Sequence, residues 1–425
     1  MRKLVPLFAL ICCALLEIGC EIARAQASST GRPRDVVRPH GLLADNTFVN
    51  VQSFGAAAND GIDDSAAFQA AVNFLEQNPT AHKGGTIYVP VGEYDFTNGI
   101  VVNDAGIRFV GDGGLSFNEG GEGFYTGSTL IAKTNNIILF DFNGDPANNG
   151  TLVHQGPQVE NCNFVDESPS GHSATLIRVR SMNRYVLRNV TVRNAATGIA
   201  IDAENSDASW GRLDQIVCFD TVTCVEQVAQ EGGFVMTGGD IEPRAGGIGV
   251  RIRGAQARIL GVKFDLPETA PYAMAIYNSG VSPQIIGSEF EGCGPNPTPC
   301  IQIDGSGTNT WNGSLANIVG NAFRGINGSL GEVAINLAAS SKVVNNEIIG
   351  NTYEVVQYPI MDAGVNTVRF DQAATMARQS LFANLPSWPN GSFIYCADCR
   401  TSTSPCASGG TGAFAFRENG AWNCH

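Results

Sequence analysis

One spaced pattern constrains this chain more than any other property. The segments VLRNVTV, ILGVKF, IIGSEF, IVGNAF and VVNNEI share a form: two apolar residues, a small or amide residue at a bend, then a further inward apolar residue. Their last residues are Val192, Phe264, Phe290, Phe323 and Ile348, with Phe164, Phe219 and Ile241 filling the other places. Successive intervals are 28, 27, 22, 23, 26, 33 and 25 residues. A second series, LIRVRS, GIAIDA, VEQVA, GVRIRG, AMAIYN, CIQIDG and VAINLA, begins near positions 176, 198, 225, 249, 273, 300 and 333 and keeps the same lag. Two strand columns in step mean one coil per 22 to 33 residues. A single coil cannot bury its own apolar edge, whereas stacked coils share a continuous core. The pattern therefore predicts an all-β, single-stranded parallel β-helix. A sandwich would show hairpin signals every 8 to 12 residues or so, and a propeller blade repeats of about 40; neither occurs. Fifty glycines and a charged fraction of only 16% suit many short strands joined by tight turns.

The ends read differently. Arg2 and Lys3 precede an apolar run from Leu4 to Leu16, and Ala23-Arg24-Ala25 follows, so residues 1–25 are expected to be a signal peptide and the protein secreted, extracellular or periplasmic. Cys20 in Ile18-Gly19-Cys20 offers the alternative of a lipoprotein anchor, although Glu17 is out of place in such a box. No stretch reaches the roughly 18 apolar residues of a transmembrane segment. Residues 26–45, with Pro33 and Pro39, are expected to be a flexible tether, residues 46–372 the β-helix, and residues 373–425 a separate small module. In that module Cys396, Cys399, Cys406 and Cys424 predict two disulfides with three possible connectivities, zinc being the other reading of Cys396-x-x-Cys399. Cys218 and Cys224 could bridge a turn, as could Cys293 and Cys300, which leaves Cys162 buried in the stack.

The start of the ordered region carries a more specific signal. Asp63 or Asp64 can cap a helix whose one face holds Phe68, Ala71, Val72 and Leu75. The run Phe54-Gly55, Asp60-Gly61, Asp63-Asp64, Ala71 and Gly84-Gly85-Thr86-Ile87-Tyr88-Val89-Pro90 resembles the opening of the pectate-lyase-like superfamily, which includes rhamnogalacturonase and epimerase-type β-helix domains. That resemblance implies a right-handed helix, an N-terminal capping helix, and a polysaccharide groove along the face formed by the second series. It makes the chain a polysaccharide-active enzyme cleaving glycosidic bonds, by lyase or hydrolase chemistry; a sugar epimerase and a non-catalytic glycan-binding surface protein are the alternatives. The Asn-Thr-Asp, Asp-Asp, Gly-His-Gly and Arg-Ile-Lys motifs of polygalacturonase-type members are absent; Gly171-His172-Ser173 and Arg251-Ile252-Arg253 are only partial matches.

Residues flanking an inward apolar position point outward. In the second series these are Arg178 and Arg180, then Asp202, Glu226, Arg251 and Arg253, Tyr277, and Gln302 with Asp304. Acids bracketed by arginines suit a uronate-containing chain, because guanidinium forks bind carboxylates bidentately. The expected catalytic group is Asp202, Glu226, Arg251 and Arg253, with Asp202 and Glu226 on neighbouring rungs roughly 5 Å apart at the backbone. Arg178, Arg180, Glu204, Asp207, Tyr277 and Asp304 are expected to bind substrate. A hydrolase would use the carboxylate pair; a lyase would use an arginine to neutralise the uronate and a base to take the α-proton, aided by a cation such as Ca2+ held by the acids. A rival acidic row flanks Ile241, Phe264 and Phe290: Asp240 and Glu242, Lys263 and Asp265, Glu289 and Glu291. The bland alternative for both rows is a solvated surface laced by ion pairs. The net charge of −14 argues against nucleic acid as a partner, and the sequence is silent on oligomeric state.

Overall fold

The computed structural model describes residues 47–77, 84–103, 106–113, 127–144, 154–180, 182–202, 210–227, 233–306, 313–328, 330–370, 382–385, 390 and 393–425. The expected signal peptide with Cys20, the tether, Glu204 and Asp207 all lie outside the described residues.

Among the described residues, twenty-seven strands join in one parallel network wound as a right-handed β-helix. Each coil contributes to three columns, one more than the repeat suggested. Inward residues of the first column include Leu187, Leu213, Met236, Ile259, Ile285, Ile318 and Ile348, each in register with the next. The second runs through Val192, Cys218, Ile241, Phe264, Phe290, Phe323 and Tyr353, and the third through Ile177, Ile199, Val225, Val250, Ile276, Ile301, Ile335 and Ile360. Strands Gly211–Gln227 and Phe234–Ile252 turn the corners unbroken and serve all three columns.

The bend in the repeat is the corner between the first two columns. One residue per coil takes it in the left-handed region: Asn161, Asn189, Gln215, Gly238, Gly261, Gly287, Gly320 and Gly350, with φ between 50° and 67°. Glycine and asparagine reach that region at least cost, which is why the bend reads as small or amide. A single-residue corner has fixed length, so variation in coil size falls on the other two corners. Two disulfides, Cys218–Cys224 and Cys293–Cys300, both span the corner from second to third column.

Two assignments in the repeat need correction. The inward residue after the Gln215 bend is Cys218, fully buried between Val192 and Ile241; Phe219 points outward, with the Arg193 guanidinium 5.1 Å from its ring centroid. The aromatic is the stronger apolar signal, but the count from the bend decides which side chain turns in. Ile348 belongs to the first column, and the residue stacked on Phe323 is Tyr353, beyond the Gly350 bend. Apolar residues stand on both sides of each bend, so composition alone cannot tell the two columns apart.

The helix Ser65–Glu76 closes one end of the stack. Phe68, Ala71, Val72 and Leu75 recur at helical spacing and are fully buried, and Phe68 packs edge-on against Tyr94 and Phe96. Truncating a buried phenylalanine of this kind costs about 3–5 kcal/mol. The three acids before the helix are structural. Asp60 accepts from the Ile62 N–H at 2.9 Å, and Asp63 accepts from Ser65 N at 3.1 Å and Thr97 N at 2.9 Å. Asp64 stands at the cap position, but its side chain accepts from Ala57 N at 2.9 Å. Burial raises its pKa to about 6.

Within the later coils the core becomes regular. Phe264, Phe290, Phe323 and Tyr353 stack face to face, with centroids 4.9, 4.6 and 5.4 Å apart. Beside them the buried Asn321 donates to Asn351 Oδ1 at 2.9 Å and to the Ile285 carbonyl at 2.9 Å, so this amide is satisfied along the stack, whereas the buried Asn346 Nδ2 has no hydrogen-bond partner. Among the described residues, Cys162 is the free cysteine, buried, with its pKa pushed up to about 12 by burial, which makes it unreactive. The tail has its own hydrophobic cluster and a three-stranded antiparallel sheet, with disulfides Cys396–Cys399 and Cys406–Cys424.

Candidate functional site

The third column fixes which outward side chains share a level. Arg178 stands level with Ala200, Ala200 with Glu226, Glu226 with Arg251, Arg251 with Tyr277, and Tyr277 with Gln302. Arg180 is level with Asp202. Asp202 and Glu226 therefore lie on adjacent rungs but two residues apart along the strand, roughly 8 Å between Cα atoms, and not directly opposed as the sequence implied. Their alignment had matched acid to acid, whereas Ile199 and Ile201 pair with Val225 and Gln227; the buried Gln227 occupies an inward position that an apolar pattern does not reveal.

Glu226 is the centre of the face. Its Oε1 lies 3.3 Å from Arg251 Nη1 and 3.1 Å from Arg253 Nη2. The carboxylate side chain is 17% exposed and the Arg253 side chain 45% exposed, so the acid is recessed and a guanidinium stands in front of it. One rung on, the Tyr277 hydroxyl donates to Asp304 Oδ2 and lies 3.2 Å from Ser306 Oγ. Burial, then the hydrogen bond to Asp304, raises the Tyr277 pKa. The structure thus brings Glu226, Arg251, Arg253, Tyr277 and Asp304 onto one face of successive rungs.

Arg178 and Arg180 have a different setting. Both forks close on Asp141 of the preceding rung, Arg178 at 3.0 and 2.7 Å and Arg180 at 3.1 and 2.7 Å. Asp141 is 6% exposed, so this is a compact cluster in which one carboxylate answers two guanidinium groups. Sequence reasoning missed Asp141 because the second series was begun at position 176. The alternation in Ile138–Asn143, with Asp141 between the inward Phe140 and Phe142, carries the signal one coil earlier.

The acidic row lies on the second column. Asp240 is level with Lys263 and Lys263 with Glu289; Asp265 is level with Glu291, and Glu291 lies beside Arg324. Lys263 Nζ is 3.2 Å from Asp265 and 3.6 Å from Glu291. Burial raises the Asp240 pKa against the pull of Lys263, and Asp240 Oδ1 is buried with no hydrogen-bond partner. Among the described residues, no set of three carboxylates on the β-helix converges closely enough to share one ion; the groups that do converge are the tail cysteines with Asp398. His172 Nε2 lies 3.2 Å from Asp220 Oδ2.

Known proteins can now be set beside this geometry. Residues 48–249 match the family model described as Rhamnogalacturonase A/epimerase, pectate lyase-like. An iota-carrageenase of Alteromonas macleodii is 27% identical over 167 residues, which is 38% of this chain and 31% of that protein's length. Among solved structures, ORF18 of Geobacillus virus E2 covers 90% of this chain and 76% of its own at 16% identity, with a TM-score of 0.60. DFA-IIIase of Arthrobacter chlorophenolicus A6 is 14% identical over 76% of this chain and 94% of its own, with a TM-score of 0.46.

Proposed function

We propose that this chain, whose β-helix is of the pectate-lyase-like superfamily, is a secreted enzyme that cleaves glycosidic bonds in an anionic polysaccharide on the face of its third column. The observation that carries the reading is the Glu226–Arg251–Arg253 group. A recessed carboxylate lies behind an exposed guanidinium, with a tyrosine hydroxyl one rung beyond Arg251 along the stack. An anionic sugar substituent bound across Arg253 and Arg251 arrives beside Glu226, which acts as base or nucleophile; Tyr277, tied to Asp304, lies on the next rung as a proton donor. If the substituent is a uronate, the arginines neutralise it and Glu226 withdraws the α-proton in a lyase reaction. If it is a sulfate, as the match to a carrageenase favours, the arginines only position the chain, and Asp202 joins Glu226 in hydrolysis. Four disulfides among the described residues suit an oxidising compartment outside the cytoplasm, and no described helix is long and apolar enough to cross a membrane.

A second reading places the chemistry on the second column, favoured by one observation: Asp240 combines a raised pKa with a buried, unpartnered oxygen, as a general acid requires. Both readings meet the same experiment. The protein is incubated with uronate-containing and sulfated polysaccharides while unsaturated-uronate absorbance and reducing ends are followed. Absorbance with reducing ends identifies a lyase, reducing ends alone a hydrolase. Silence in both across the panel overturns cleavage.

A further inference from the structure

The small C-terminal sheet carries apolar side chains on both of its faces. Strands Phe393–Cys396, Ala413–Glu418 and Ala421–Cys424 pair antiparallel, and the pairs Tyr395 with Phe414 and Phe416 with Asn423 place these four residues on one face. The opposite face holds Ile394, Cys396, Ala413, Ala415, Trp422 and Cys424, all buried, and with them both disulfides. An antiparallel sheet packed on one side ordinarily shows water a polar face. Here Phe414 is 53% exposed and Phe416 38% exposed. Tyr395 meets Phe414 edge-on at 5.4 Å, and the His425 ring meets Phe416 edge-on at 5.5 Å. The Tyr395 hydroxyl lies close over Gly412, where a Cβ would collide with it.

Polar groups edge the rings. Asn423 Nδ2 donates to Glu418 at 3.1 Å, and Ser404 Oγ donates to Asn423 Oδ1 at 2.7 Å. The basic Arg417 faces the other way, 5.7 Å from the Trp422 ring centroid. An aromatic surface with an amide, a carboxylate and a hydroxyl at its edge, and no lysine or arginine among the described residues paired on it, matches the apolar face and equatorial hydroxyls of an uncharged sugar ring. The Glu418 carboxylate at its edge disfavours anionic ligands there.

We propose that this face of the C-terminal module is a binding site for neutral pyranose units of a polysaccharide, with Phe414 and Phe416 as stacking rings and Asn423 and Glu418 as hydrogen-bonding partners. The two rings lie two residues apart on one strand, about 7 Å, so they serve consecutive sugars. The site is separate from the arginine face of the β-helix and does not depend on cleavage there: one surface selects charge and the other selects its absence.

The test is affinity electrophoresis of the full chain in gels containing xylan, galactomannan or mixed-linkage β-glucan, with alginate and carrageenan as anionic probes. At least one neutral probe should retard the wild type. F414A/F416A should lose that retardation, with an apparent Kd raised tenfold or more, while circular dichroism and the disulfide count stay unchanged; the milder F414S should weaken it in the same direction. Glu226→Gln should leave retardation intact, which separates this site from the proposed cleavage face. The inference is overturned if no neutral probe retards the wild type or if F414A/F416A binds as tightly. It is also overturned if light scattering shows F414A/F416A dissociating an oligomer, or if the face mediates pelleting with phosphatidylcholine vesicles, since a second copy or a membrane is then its occupant.

Discussion

The outward faces of the second and third columns have similar composition and different physics. On the third, Glu226 and Asp141 are each held by two arginines, and the acids are recessed while Arg253 remains accessible. On the second, Asp240, Asp265 and Glu291 all act on Lys263, and Asp240 is left with an oxygen that has no hydrogen-bond partner. In the proposed function the first arrangement holds a foreign anion; on the second, burial of Asp240 favours its protonated form. Acid and arginine counts do not distinguish them, because the difference comes from which rung each charge occupies.

The largest effect expected from breaking this comparison is on turnover. Glu226→Gln should lower kcat by about 10²–10³-fold, and Asp240→Asn by less than about threefold; the reverse result moves the active site to the second column. Next in size is stability. Asp141→Ala leaves Arg178 and Arg180 facing each other without their shared anion and should cost about 3 kcal/mol in denaturant unfolding, whereas Lys263→Met, on the more exposed face, should stay within about 1 kcal/mol. Arg253→Ala should raise KM for an anionic substrate about tenfold with kcat nearly unchanged, and the penalty should shrink as salt is added. The smallest effect is a pH dependence. Asp240 has its folded pKa raised by burial, so its contribution to stability is present at low pH and lost as pH rises through the folded value. Asp240→Asn should therefore match the wild type near pH 4 and exceed it slightly at pH 7 by thermal unfolding.

The tail and the coils make a related contrast. The β-helix meets solvent with charge, while the small sheet meets it with Phe414 and Phe416. Tyr395, Phe414, Phe416 and Trp422 stand close together in the sequence, but Trp422 is buried and Phe414 is exposed; strand pairing sorts these two to opposite sides.

The β-helix was legible from the chain because stacking is one-dimensional. Every coil repeats the demand for inward apolar residues and a left-handed bend, and Asn189, Gly261, Gly287 and Gly320 announce that bend locally. The helix face of Phe68, Ala71, Val72 and Leu75 and the corner disulfides were readable for the same reason, each depending on residues close in sequence. Register between coils was not local. Whether Cys218 or Phe219 turns inward, whether Glu226 meets Asp202 or Ala200, and whether Arg178 is free or closed on Asp141 are set by residues 26 to 37 positions away, through the hydrogen bonding of neighbouring rungs. A shift of one position exchanges the inside of a strand for its outside. The sequence alone determined that coils would stack, and only the tertiary structure decided which charges the stacking brings together.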